Sequence, residues 1–172
     1  MRYINAPLKI EFDINNDSED FKREYDSLSS TDDDSIGEWL RLAKARGNTD
    51  ESDQVLLTLI VELHRKVDEM SDYIKGKKQT LIKLTKNAEI DAINYEHFRV
   101  KEDIFEVNCD YYGRIEMPFF PKRKVPIYFR AISKNEVKIL LLHERDETDW
   151  NAYVVARERV MIREMRAKKN GN

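Results

Sequence analysis

Little in this sequence supplies the usual devices of catalysis or cross-linking. One cysteine, Cys109, leaves no intrachain disulfide to form. The three histidines, His64, His97 and His143, lie far apart in different predicted elements and offer no metal-ligand spacing. Five glycines and four prolines in 172 residues exclude collagen-like and linker-rich classes. The glycines build neither a P-loop nor a Gly-x-Gly-x-x-Gly turn, and no Gly-x-Ser-x-Gly elbow occurs. No stretch approaches the roughly 18 uninterrupted apolar residues of a membrane span, and Met1–Phe12 lacks the apolar run of a signal peptide. These absences point to a non-enzymatic cytoplasmic protein without metal or cofactor. Cys109 is expected as a buried thiol on a strand, since reactive thiols need exposed, electropositive surroundings.

What the sequence does have is charge. Charged residues make up 37% of the chain, which implies much solvated surface, while 41% apolar residues permit a core. Residues 1–55 carry 14 acidic and 7 basic side chains; the remainder carries 19 and 23. The acidic part argues against nucleic-acid binding there, and the excess of cations elsewhere is too small for a dedicated nucleic-acid binder.

Residues 3–14 alternate apolar and polar, as a short strand or extended arm would. Phe21, Tyr25 and Leu28 stand at helical spacing, and the run from Ser29 to Ser35, with Asp32, Asp33 and Asp34, reads as a loop. A helix follows with Ile36, Trp39, Leu40 and Ala43 on one face, ending near Gly47. Next, Thr49 or Asp50 caps a helix expected from about Glu51 to about Lys77. Leu56, Ile60, Leu63, Val67, Met70 and Ile74 follow steps of 4, 3, 4, 3 and 4, the heptad rule. β-Branched residues at a and Leu or Met at d favour a parallel two-stranded coiled coil; packing on the chain's own core is the alternative. Leu57 and Leu59 widen the stripe, so a trimer, a tetramer or docking of the Trp39 helix would also serve. Glu62 and Lys66 are spaced for an ion pair, and Leu81 and Leu84 are placed to resume the seam after Gly76.

From about Glu89 the period becomes that of strands. These are expected around Ile93 and Phe98–Val100, over Phe105–Tyr111 ending at the turn Tyr112-Gly113-Arg114, over Val125–Ala131, and over Val137–His143 after a hairpin turn at Ser133–Glu136. A final helix, capped by Asp146 or Thr148, sets Trp150, Val154, Met161 and Met165 on one face. Its Arg157, Arg159, Arg163, Arg166, Lys168 and Lys169 read as a solvated face, with nucleic-acid or membrane contact as the alternative. Between two strands, Met117-Pro118-Phe119-Phe120-Pro121-Lys122-Arg123-Lys124 is a candidate ligand or partner contact through Phe119, Phe120, Lys122, Arg123 and Lys124. A plain connection, with the rings folded inward, is the reading favoured for it.

The order of parts, with Ile115-Glu116-Met117-Pro118 closing one strand, two strands after it and an arginine-rich last helix, resembles a divergent PilZ domain preceded by a coiled-coil helix, over about residues 50–168. The resemblance implies an α+β fold: a small antiparallel PilZ-like β-barrel preceded by a long coiled-coil helix and closed by a C-terminal helix. The parts are expected as an acidic, mainly helical region over 1–48, an oligomerising helix over 49–86 and the barrel over 87–172. Standard members hold cyclic di-GMP with Arg-x-x-x-Arg and Asp-x-Ser-x-x-Gly. Here the aligned stretch is Asp91-Ala92-Ile93-Asn94-Tyr95-Glu96, in which only Asp91 matches, and upstream stand Lys75, Lys77 and Lys78 without an arginine pair. Lysine lacks the planar fork of arginine. The resemblance therefore implies an oligomeric adaptor in motility or surface-appendage control, with itself and an unidentified protein as partners and no standard cyclic di-GMP site. A nucleotide sensor with an atypical site, using Lys75–Lys78 or Lys122–Lys124, is the alternative, followed by an RNA- or DNA-binding module.

Overall fold

The computed structural model describes residues 2–30, 35–74, 81–118 and 123–170. The chain divides into two compact units, one formed by Met1–Ser29 with Ile82–Asn172, the other by Ser30–Leu81.

In the first unit six strands close an antiparallel barrel: β1 (Ile4–Ile14), β2 (Lys86–Ile93), β3 (His97–Val100), β4 (Asp110–Met117), β5 (Arg123–Ala131) and β6 (Glu136–Leu141). Their order around the barrel is β1-β2-β3-β6-β5-β4, and β4 returns to pair with β1. The fold is α+β: this closed six-stranded barrel with helices α1 (Glu19–Ser30), α2 (Ser35–Ala45), α3 (Gln54–Ile74) and α4 (Glu144–Asn170).

Alternation explains the barrel. In β1 every second residue, Ile4, Ala6, Leu8, Ile10 and Phe12, points inward and is buried. Pro7, which cannot donate to a ladder, sits where the β1–β2 register shifts between Asn5 and Leu8. The interior is filled by side chains rather than left open. Phe12, Phe98, Phe105, Tyr111 and Phe129 form its centre, with Tyr111 and Phe129 stacked at 5.4 Å and Phe12 against Phe105 at 5.1 Å. From α4, Trp150, Tyr153 and Val154 close the core, and Trp150 Nε1 donates to the Asn94 carbonyl at 3.0 Å. Met161 packs partly against it, whereas Met165, placed on the same face by its spacing, is exposed.

Several boundaries differ from those the sequence suggests. The segment 3–14 is neither an arm nor part of a separate acidic region: it is a barrel strand between β2 and β4. The barrel unit thus draws on both ends of the chain, and the division expected at 48/49 and 86/87 falls instead near Ser29 and Ile82. Phe105–Cys109 is no strand. Asn108 takes a left-handed φ of 66°, the Cys109 N–H bonds back to the Glu106 carbonyl, and Val107 is exposed. Cys109 is accordingly half-buried in a loop. Tyr112-Gly113-Arg114 is no turn but the middle of β4. A Cβ on Gly113 would stand 2.8 Å from the Glu11 carbonyl, so the glycine serves the close approach of β1. The hairpin turn at Ser133–Glu136 is present, with the Ile132 and Ser133 N–H groups bonding to the Glu136 carbonyl.

The caps also move. Asp53, not Thr49 or Asp50, caps α3: its Oδ1 accepts from the N–H groups of Val55 (2.9 Å) and Leu56 (3.2 Å). Helix α4 begins before Asp146 and Thr148, so both lie inside its first turns. Helix α2 ends where the composition says: Gly47 has φ 75°, and the Asn48 N–H bonds to the Ala43 carbonyl.

Candidate interaction surfaces

In the second unit α3 spans 21 residues, shorter than the helix expected across 49–86. At 1.5 Å per residue this is about 30 Å, or three heptads. All six seam residues are exposed: Leu56, Ile60, Leu63, Val67, Met70 and Ile74, each by more than half. Leu59 and Tyr73 are exposed alongside them, and in α2 Trp39 and Leu42 are exposed too. The less exposed side of α3 is mixed: Glu62 is buried, Leu57, Val61, His64 and Arg65 are half-buried, and Lys66, Asp68 and Glu69 are exposed. Glu62 pairs with Arg65 at 2.8 Å and Lys66 with Glu69 at 2.9 Å, rather than Glu62 with Lys66. His64 Nδ1 lies 3.1 Å from Asp68. Leu81 and Leu84 do not resume the seam. Neither is helical, and Leu84 packs with Ile82 beside Phe21, Tyr25 and Tyr112 in the barrel unit.

That second apolar cluster fixes α1 to the outside of β4 and β5. Phe21 stacks on Tyr112 at 4.8 Å, and Tyr25 lies against Tyr128 and stacks on His143 at 4.2 Å. At its centre is a buried ion pair. Arg114 Nη1 donates to Glu24 at 2.7 Å and to the Ile82 carbonyl at 3.0 Å. Glu24 also accepts from the Tyr112 hydroxyl (2.8 Å) and the Ile82 N–H (2.6 Å). Burial, reinforced by Glu24, pushes the Tyr112 phenol well above its ordinary range. The chain leaves the barrel unit after α1 and re-enters it at Ile82, and this one network clasps both crossings. Nothing in the sequence pattern marks Glu24 as its hub, because the partners are 58 to 90 positions away.

The proposed contact loop divides. Phe119, Phe120 and Lys122 lie outside the described residues, as do Lys75, Lys77 and Lys78. Arg123 and Lys124 are not free for a ligand. Arg123 meets Asp146 at 2.6 Å and Asp149 at 2.5 Å, both in the first turns of α4. Lys124 donates to Glu11 at 2.9 Å. The Lys124 ammonium, joined by Arg114, holds the Glu11 carboxyl below its ordinary value, whereas burial pushes that of Asp146 up against the pull of Arg123.

Around the stretch aligned with the cyclic di-GMP motif, Asp91 is forked by Arg99 at 3.0 and 3.2 Å, and Ile93 is buried in the core. Asn94 is buried; its Oδ1 accepts from the Glu96 and His97 N–H groups, and its Nδ2 has no hydrogen-bond acceptor. A cavity of about 300 Å³ opens beside it, walled by Ile4, Tyr95 and Val154, with Arg2, Glu96 and Glu158 at its edge.

Among the described residues, no group of three His, Cys, Asp or Glu side chains is arranged to hold a metal, and no helix is long and apolar enough to cross a membrane. Comparison with protein-family models, curated proteins and solved structures returns no match.

Proposed function

We propose that this chain is a non-catalytic oligomeric adaptor of the PilZ type, in which α3 self-associates and the barrels are thereby presented in two or more copies. The exposed seam carries this reading. Six apolar residues at heptad spacing face solvent, each more than half exposed, and none of them is in the buried core. A partner helix of the same kind would bury that stripe, and several linked barrels would bind a shared partner with raised avidity. In this reading cyclic di-GMP is not held by the standard motif, because Asp91 is engaged by Arg99 and Ile93 fills the core.

The experiment is sedimentation of the double variant Ile60→Lys/Val67→Lys beside the wild type. The variant sediments as a single chain of 20.5 kDa and the wild type as a multiple of it. Equal masses would remove the seam from the account. A second reading, a nucleotide sensor with an atypical site, draws on the cavity lined by Asn94, whose Nδ2 has no acceptor. Calorimetric titration with cyclic di-GMP at about 0.1 M salt separates the two: the adaptor gives no heat, and saturable micromolar binding would favour the sensor.

A further inference from the structure

Several surface charges of α1 and α3 are paired within one turn: Lys22 with Glu19 in α1, and Arg65 with Glu62 and Lys66 with Glu69 in α3. The distal half of α4 breaks this habit. Arg159, Arg163 and Arg166 are exposed, and among the described residues none of the three has a hydrogen-bond or carboxylate partner. They are spaced at i, i+4 and i+7, so they form one row on the side opposite Trp150, Val154 and Met161. Every position three or four residues from them within described α4 is apolar or another arginine, apart from Lys169 and Asn170. Like charges at these spacings destabilise an isolated helix by a few tenths of a kcal/mol, roughly 0.2–0.5 per pair. Glu158 and Glu164 lie off the row and do not relieve it. The row is bordered by half-buried Val155 and Ile162, with the small Ala152 and Ala156 exposed beside it. Apolar residues thus lie on both sides of α4, buried on the Trp150 side and half-buried beside the arginine row.

We infer that this outer face of α4 docks an acidic amphipathic helix of a partner protein. The inference deepens the adaptor reading by naming the partner's chemistry, and it does not depend on the α3 seam. Three guanidinium forks over about 10 Å of helix match carboxylates spaced on a facing helix, each able to pair in two-point fashion. Val155 and Ile162, with the alanines leaving room, would take the partner's apolar stripe. A nucleic acid fits less well. The chain is net −3, and a phosphate backbone makes no use of the apolar border.

The test uses the full chain, a synthetic helical peptide with leucine at a and d and glutamate at e and g, and single-stranded polyuridylate. Fluorescence anisotropy at about 0.1 M salt reads binding to the wild type, to the exposed-surface variant Arg159→Glu/Arg163→Glu/Arg166→Glu, and to the variant with lysine at all three positions. The expected result is saturable binding of the acidic peptide, weakened at least tenfold by charge reversal and by less with lysine, which keeps charge but loses the fork. Repeating the titration on Ile60→Lys/Val67→Lys, whose mass reads assembly separately, should still show binding at α4. Absence of peptide binding, equal binding by the charge-reversed variant, tighter binding of polyuridylate, or a change in mass on charge reversal would each overturn the inference.

Discussion

Ile10, Phe12, Phe98 and Phe129 of the barrel are at most 1% exposed, whereas Leu63, Met70 and Ile74 of α3 are 64% exposed or more. Both groups follow regular apolar patterns, one of period 2 and one of period 3.5. In the barrel, strand pairing returns β4 to β1, so every inward face meets another within the same chain. Among the described residues of its own unit, the seam of α3 is left exposed. The barrel shows that the chain buries such residues where its own topology allows, and the proposed assembly would bury the stripe of α3 between chains.

The comparison can be sharpened by equivalent truncations. Phe129→Ala, at the centre of the aromatic cluster, should cost about 3–5 kcal/mol in chemical denaturation, through lost burial and the cavity left behind. Leu63→Ala should cost within about 0.5 kcal/mol at dilutions where the chain is monomeric, as at any exposed site. A concentration-dependent loss at Leu63, absent at Phe129, would place the missing contacts between chains. A large loss at Leu63 at every dilution would break the contrast between the two units.

The clasp at Glu24 and Arg114 should come next in size. Arg114→Met leaves the Glu24 carboxylate buried without its cation and should destabilise the barrel unit by about 3–5 kcal/mol. Pairing it with Glu24→Gln should recover much of that loss, since an uncompensated buried charge is the main cost. No recovery in the double variant would mean that the pair holds α1 and Ile82 in place through geometry that neutral groups do not replace.

The smallest effect is the acid response of Glu11. Its carboxyl is held below its ordinary value of 4.5 by Lys124 and then Arg114, so the folded state favours the ionised form. That contribution is present above the ordinary value and is lost as the pH falls through the lowered folded one. The melting-temperature difference between wild type and Glu11→Gln should therefore narrow on going from about pH 6 to about pH 3. A difference that is constant with pH would remove Glu11 from the acid response.

The sequence discloses elements that rest on local pattern. The heptad positions of α3, the helical spacing of Phe21 and Tyr25, the strands β5 and β6 and the hairpin turn at Ser133–Glu136 all follow from neighbours in the chain. It conceals what depends on pairing at a distance. The place of β1 within the barrel is decided by β2 and β4, 74 to 107 residues on. Gly113 looks like a turn residue until the Glu11 carbonyl behind it is known. Alternation over Phe105–Cys109 imitates a strand, but Asn108 in a left-handed conformation turns the chain before β4 begins. Of the candidate contacts, Arg123 and Lys124 could not be recognised as internal partners, because Asp146 and Glu11 lie 23 and 113 positions away. The apolar stripe of α3 is legible as a pattern because it depends on spacing alone.

In the proposed assembly, other copies of the chain close the exposed seam of α3. Light scattering on the eluting wild-type protein, over a hundredfold range of concentration, tests it most directly. The account predicts a mass that is a whole multiple of 20.5 kDa and that falls toward one chain only on dilution. A mass of one chain at every concentration would contradict it.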